Sequence, residues 1–238
     1  MLSGVVASAV VVAYYSTAAA LNYDISDSAV FVEYIADFVS GKASVVLIVS
    51  YCIIFLALLI VFAIQRRRLT AYTGMSHMHL PSAFGAAVLG VVLNLITYAL
   101  TPSSSENSVD VNSILLLCAI IGPFVEELVF RGVLLKMFAG SCGIFAATII
   151  TSALFALSHA EPVQMIYTFL LGIILCIVRV RSTSLWSPVV LHLSFNITGA
   201  VSMMYNPKFS NNELIFLCAA GLAFFIIACT GGRKLKET

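Results

Sequence analysis

Charge is scarce in this sequence. Only 10% of its 238 residues are Asp, Glu, Lys or Arg, against 61% hydrophobic residues, and the formal net charge is +1. So little charge does not cover the surface of a water-soluble domain. No basic run is long enough to hold a nucleic acid, so no nucleic-acid partner is expected. Among the six cysteines there is no Cys-x-x-Cys pair, which removes the spacing of zinc ribbons and dithiol redox sites. Cys52, Cys118, Cys142, Cys176, Cys218 and Cys229 are read as small core hydrophobes, and all but Cys142 lie in apolar runs. There is no His-Glu-x-x-His motif, no internal repeat and no low-complexity tract. The first apolar run lacks a basic stretch before it, so it is expected to persist as a span rather than leave as a signal peptide.

What is present is apolar sequence in blocks. A helix needs about 20 apolar residues to cross a bilayer, and such blocks fall near residues 2–21, 43–64, 82–100, 113–136, 143–160, 163–180, 188–205 and 214–230. The expected fold is all-α, a polytopic membrane protein of about eight transmembrane helices, with the lipid bilayer as its first partner. Basic residues follow alternate spans: Arg66, Arg67 and Arg68, then Arg131 and Lys136, Arg179 and Arg181, and Arg233, Lys234 and Lys236. The opposite loops carry Asp24, Asp27, Glu33, Asp37, Glu106, Asp110, Glu161 and Glu213. By the positive-inside rule both termini are expected in the cytoplasm. The chain divides into N-terminal spans (1–112), a motif-bearing core (113–205) and a C-terminal helix with its tail (206–238). The acidic loop 22–42 is expected to hold a short interfacial helix. His77, Met78 and His79 read as an interfacial loop, since nothing nearby supplies a third metal ligand.

The organising stretch is GPFVEELVFRGVLL, residues 122–135. It places Glu126, Glu127 and Arg131 inside an apolar span, where each ionised group costs about 2.5–3.5 kcal/mol on insertion scales. Residues four apart share a helix face, so Glu127 and Arg131 are the natural ion pair. Glu126 is left on another face as the candidate general base. Packing alone would account for one ion pair but leaves the second acid unexplained.

Two later spans carry the other candidates. His192 and Asn196, four apart on a helix that Ser187 can cap and Pro188 can open, can both donate to one oxygen, as an oxyanion hole requires. They can equally form an interhelical hydrogen-bond pair. His159 lies one turn after Phe155 on the same face, and alone would read as a core histidine.

Taken in order, EELVFR, FALSH and HLSFN resemble the EExxxR, FxxxH and HxxxN motifs of the CPBP family. That family comprises the CAAX-processing type II endopeptidases and their bacterial Abi or bacteriocin-immunity relatives. The resemblance covers about residues 113–205 and includes the wording LWSPVVLHLSFN. It implies an intramembrane endopeptidase in a bacterial plasma membrane, acting on a hydrophobic peptide or membrane-anchored protein. Glu126 and His159 would activate a water, His192 and Asn196 would stabilise the tetrahedral intermediate, and Glu127 and Arg131 would support the site. It implies a glutamate-type reaction with no cofactor; the alternative is zinc held by Glu126, His159 and His192. The competing reading is a non-enzymatic immunity or sensor-regulating membrane protein. A transporter is disfavoured by the lack of an inverted repeat.

Hydropathy sets one conflict. His159 falls near the outer end of its span and His192 near the inner end of another, about 20 Å apart in depth at 1.5 Å per residue. A shared site then requires Ala160, Glu161 and Pro162 to form a break inside the protein, with an aqueous cavity reaching Glu126.

Overall fold

In a computed structural model the described residues are 43–66, 68–101, 113–159 and 161–229, and every regular element among them is helical. The expected span at 2–21, the acidic loop, the polar connector 102–112, Ala160 and the basic C-terminal tail lie outside the described residues. So do the termini, and with them their expected sidedness. The chain forms two compact units, Met1–Val61 and Phe62–Thr238. The described part of the first is carried by the apolar helix α1, Ala43–Ile64.

The second unit runs α2 (Leu69–Thr73), α3 (Leu80–Leu100), α4 (Ser113–Glu127), a π-helical segment π1 (Leu128–Leu134), α5 (Leu135–Leu157), α6 (Pro162–Ser182), α7 (Trp186–Tyr205) and α8 (Asn211–Ala228). Four stretches among the described residues are long and apolar enough to cross a bilayer: Leu80–Leu100, Ile120–Leu157, Pro162–Ser182 and Asn211–Ala228. The chain is an integral membrane protein, although the expected count of eight spans is not reached among these residues. The helix α7 has the length of a span but carries Ser187, His192, Ser194, Asn196, Thr198 and Ser202. It needs protein around it more than lipid.

Local chemistry sets the helix ends. His79 Nδ1 accepts from Ser82 N at 3.3 Å and caps α3. Glu161 accepts from Val163 N and Gln164 N to start α6, with Pro162 first in the helix. Ser210 and Glu213 form a capping box on α8. The expected connector between residues 136 and 143 is not a loop. Good helix formers (Lys136, Met137, Ala139) carry the helix on until Gly143, whose φ of 80° and ψ of 162° make a break open to glycine.

The helix α7 starts at Trp186, earlier than expected, and Ser187 is not its cap. Ser187 Oγ instead meets Ser82 Oγ at 2.9 Å, while Ser184 Oγ accepts from Trp186 N at 3.2 Å. The segment after α2 closes over this start: Trp186 Nε1 donates to Met75 O, Ser184 Oγ donates to His77 O, and Leu185 N donates to Gly74 O. The His77–His79 stretch is thus a structural strap across the base of α7. Arg179 Nη2 secures it further by donating to Thr73 O at 2.9 Å.

The helices α3 and α7 pack along one another. At Gly90 a Cβ would run into Leu191 O and come within 3.0 Å of Ser194 Cβ. The core they share draws Ala86 and Leu89 from α3, Phe155 from α5, Leu171 and Leu175 from α6, and Leu191 from α7. Gly90→Ala is therefore expected to force α3 off α7 and destabilise the protein by about 1–3 kcal/mol, read as a lowered thermal midpoint in detergent. An unchanged midpoint would mean the backbones are not in contact there. The cysteines divide otherwise than expected: Cys176 is buried, but Cys52, Cys142 and Cys218 are exposed.

Candidate active site

The EELVFR stretch is where the winding of the helix changes. Glu126 and Glu127 close α4, and π1 begins at the next residue with i→i+5 hydrogen bonding. Pro123, buried inside α4, has already removed one backbone donor from the ladder. The winding therefore widens between the two acids, which end α4, and Arg131, which lies within π1.

Arg131 is the largest fully buried side chain among the described residues. Its Nη1 donates to Glu127 Oε1 at 2.7 Å and its Nη2 donates to Gly172 O on α6 at 3.2 Å. The guanidinium carbon also lies 4.4 Å from the centre of the Phe155 ring. Glu127 is shared, because His192 Nδ1 lies 3.0 Å from the same Oε1. A carboxylate only accepts, so Nδ1 holds the proton and donates it to Glu127. The other ring nitrogen, Nε2, lies 3.8 Å from Glu126 Oε2. One imidazole therefore faces both acids of the motif, one on each nitrogen.

The two acids differ in access. The Glu127 side chain is 0% exposed, whereas that of Glu126 retains 19%. Among the described residues, Glu127 Oε2 and Arg131 Nε are buried without hydrogen-bond partners. Such half-satisfied polar networks cost stability.

His159 reaches the group through an aromatic bridge. Phe155, fully buried, stands edge-on to the His159 ring at 5.0 Å and to the His192 ring at 5.5 Å, and meets Phe130 at 5.3 Å. His159 Nδ1 donates to Phe155 O at 2.9 Å, which leaves Nε2 as the acceptor nitrogen. The sequence marked Phe155 only as sharing a face with His159. Its role as the ring joining Arg131, His159 and His192 was not foreseen, though a phenylalanine one turn before a histidine is a readable cue.

The depth conflict resolves differently from the expected buried break. Glu161, Pro162 and Val163 are exposed, so the turn between α5 and α6 lies at the surface of the protein. The two histidines meet through Phe155 because α5 beyond Gly143 spans only residues 144–157, roughly 20 Å of helix. In addition, α7 starts in the interior: Ser184, Leu185 and Ser187 are all 0% exposed. Hydropathy counting assumed full-length spans starting at opposite surfaces. Asn196, one turn after His192 and half-buried, makes no side-chain hydrogen bond among the described residues.

The set that zinc would need is Glu126, His159 and His192. Among the described residues no group of three His, Cys, Asp or Glu side chains is placed to hold a metal ion, although the Nδ1 donation of His192 to Glu127 leaves its Nε2 as the nitrogen that would face one.

Three comparisons bear on this geometry. A family model described as type II CAAX prenyl endopeptidase Rce1-like matches residues 109–198. An uncharacterized 24.3 kDa protein of Escherichia coli is 31% identical over 195 residues, covering 74% of this chain and 90% of that protein. The putative membrane peptidase YdiL of Bacillus subtilis (strain 168) is 27% identical over 93 residues, 39% of this chain and 38% of its own. No solved structure matches.

Proposed function

We propose that this chain, which belongs to the Rce1-like family of type II CAAX prenyl endopeptidases, hydrolyses a peptide bond at the membrane with a water activated by Glu126. The observation that carries the proposal is the unequal pair of acids. Glu127 is spent on Arg131 and His192, while Glu126 keeps access and faces the free nitrogen of the same histidine.

In this reading Glu126 takes a proton from the water, and the unprotonated Nε2 of His159 orients it by accepting its other hydrogen. The water oxygen bonds to the scissile carbonyl carbon. The carbonyl oxygen becomes an oxyanion, stabilised by the Asn196 amide and by His192 Nε2–H in the ring protonated on both nitrogens. Glu127 supports that state by accepting from Nδ1, and Arg131 balances the charge of Glu127. Collapse of the intermediate breaks the C–N bond, and Glu126 returns its proton to the departing nitrogen. The substrate is a membrane-associated or hydrophobic peptide, which a site set among apolar helices would accept.

The test is cleavage of a quenched hydrophobic peptide, prenylated and unprenylated at a C-terminal CAAX sequence, by the purified protein in detergent with and without a chelator. Hydrolysis unaffected by the chelator is the expected result, because every step above uses a protein group. Loss of activity on chelation, restored by zinc, would replace the water activation proposed here with a metal held by Glu126, His159 and His192.

A further inference from the structure

One interior polar side chain is left over by this mechanism. Asn94, on α3, is 7% exposed, and among the described residues its Oδ1 has no hydrogen-bond partner. A buried amide oxygen without a donor is costly and uncommon in a native interior.

Its surroundings say where a donor would come from. At Gly199 of α7 the missing side chain leaves a notch that the Asn94 amide fills. A Cβ there would lie 3.0 Å from Nδ2 and 3.9 Å from Oδ1 of Asn94. Gly199 is three residues after Asn196, on the same face of the next turn. A helical side chain covers the turn preceding its own Cα, so the space that Asn94 occupies adjoins Asn196. The Asn94 amide thus lies beside the turn of α7 that follows Asn196, and its Oδ1 has no hydrogen-bond partner among the described residues.

We propose that Asn94 is a positioning residue for Asn196. Its carbonyl oxygen takes one of the two amide hydrogens of Asn196, which fixes the plane of that carboxamide and aims the second hydrogen at the oxyanion. An asparagine amide carries two donors and one acceptor on a freely turning terminal bond. Unanchored, the carboxamide turns freely and has to be oriented before its nitrogen meets the oxyanion. This inference rests on the assignment of Asn196 as an oxyanion donor.

Asn94→Leu tests it, because leucine has a similar shape and no acceptor. The expected result is a thermal midpoint equal to or above that of the wild type, with kcat reduced up to about 100-fold and KM unchanged. In an Asn196→Ala background the same substitution should cost nothing further. A wild-type kcat, losses that add across the two positions, or a lowered midpoint with no loss of kcat would each overturn the proposal. A second measurement does not depend on proteolysis: Asn94→Cys and Asn196→Cys, treated with a short bifunctional thiol reagent, should yield a linked peptide pair by mass spectrometry. No linked pair overturns the positioning role. A linked pair in a protein that cleaves nothing instead places the failure with the protease reading.

Discussion

Glu126→Gln is expected to lower the rate of peptide hydrolysis by about 10²- to 10⁴-fold, the usual contribution of a positioned general base, while the protein stays folded. The substitution keeps shape and hydrogen-bonding capacity and removes only the ability to take a proton. Because the Glu126 side chain retains 19% exposure, neutralising it disturbs the interior less than neutralising the fully buried Glu127 would. Arg131 is served by Glu127 at 2.7 Å. Glu127→Gln should behave otherwise. It removes the acceptor that Arg131 and His192 share, so the thermal midpoint and the rate should fall together. Parallel measurement of kcat and thermal midpoint on the two variants separates base from support. If Glu126→Gln keeps the wild-type kcat, the water is activated elsewhere and Glu126 is a packing device.

Much of this arrangement was legible in the sequence, for reasons that are local. Apolar blocks of span length predict helices because a bilayer admits little else, and the described residues are helical where the blocks fall. Four-residue spacing paired Glu127 with Arg131, which depends only on helix geometry. Nothing local announced the rest. The wide winding of π1 has no local signal, nor has the bond from Arg131 within it to Gly172 O on another helix. The depth of His159 depends on Gly143 shortening α5, and that of His192 on the strap of residues 74–79 covering the start of α7. Hydropathy cannot see either, because it measures each segment against lipid and not against the rest of the chain. The same holds for Gly90 and Gly199: a glycine in an apolar helix gives no sign of which neighbour approaches it.

The largest loss of stability is expected from Arg131→Met, a variant that keeps the length of the side chain and discards its charge. Arg131 is 1% exposed and its carboxylate partner 0%. Without the guanidinium, Glu127 is left buried and ionised with only His192 Nδ1 to balance it, and removing one member of a buried pair costs about 3–5 kcal/mol. The tie from π1 to α6 through Gly172 O and the cation over Phe155 go with it. Arg131→Lys should rescue little, since an ammonium is a point donor and cannot serve Glu127 and Gly172 O in the fixed directions of the fork. The informative variant is the double one, Glu127→Gln with Arg131→Met. It removes both buried charges together, so thermal stability should recover toward the wild type, because exchanging a buried pair for neutral groups is often close to neutral. Hydrolysis should not recover. His192 Nδ1 would then face an amide that offers either its oxygen or its nitrogen, and the ring would lose the carboxylate that fixes its proton. Restored stability without restored rate would assign the Glu127–Arg131 pair to tuning His192. Recovery of both would make the pair a scaffold alone, and an Arg131→Met protein as stable as the wild type would show that the pair is not buried from water at all.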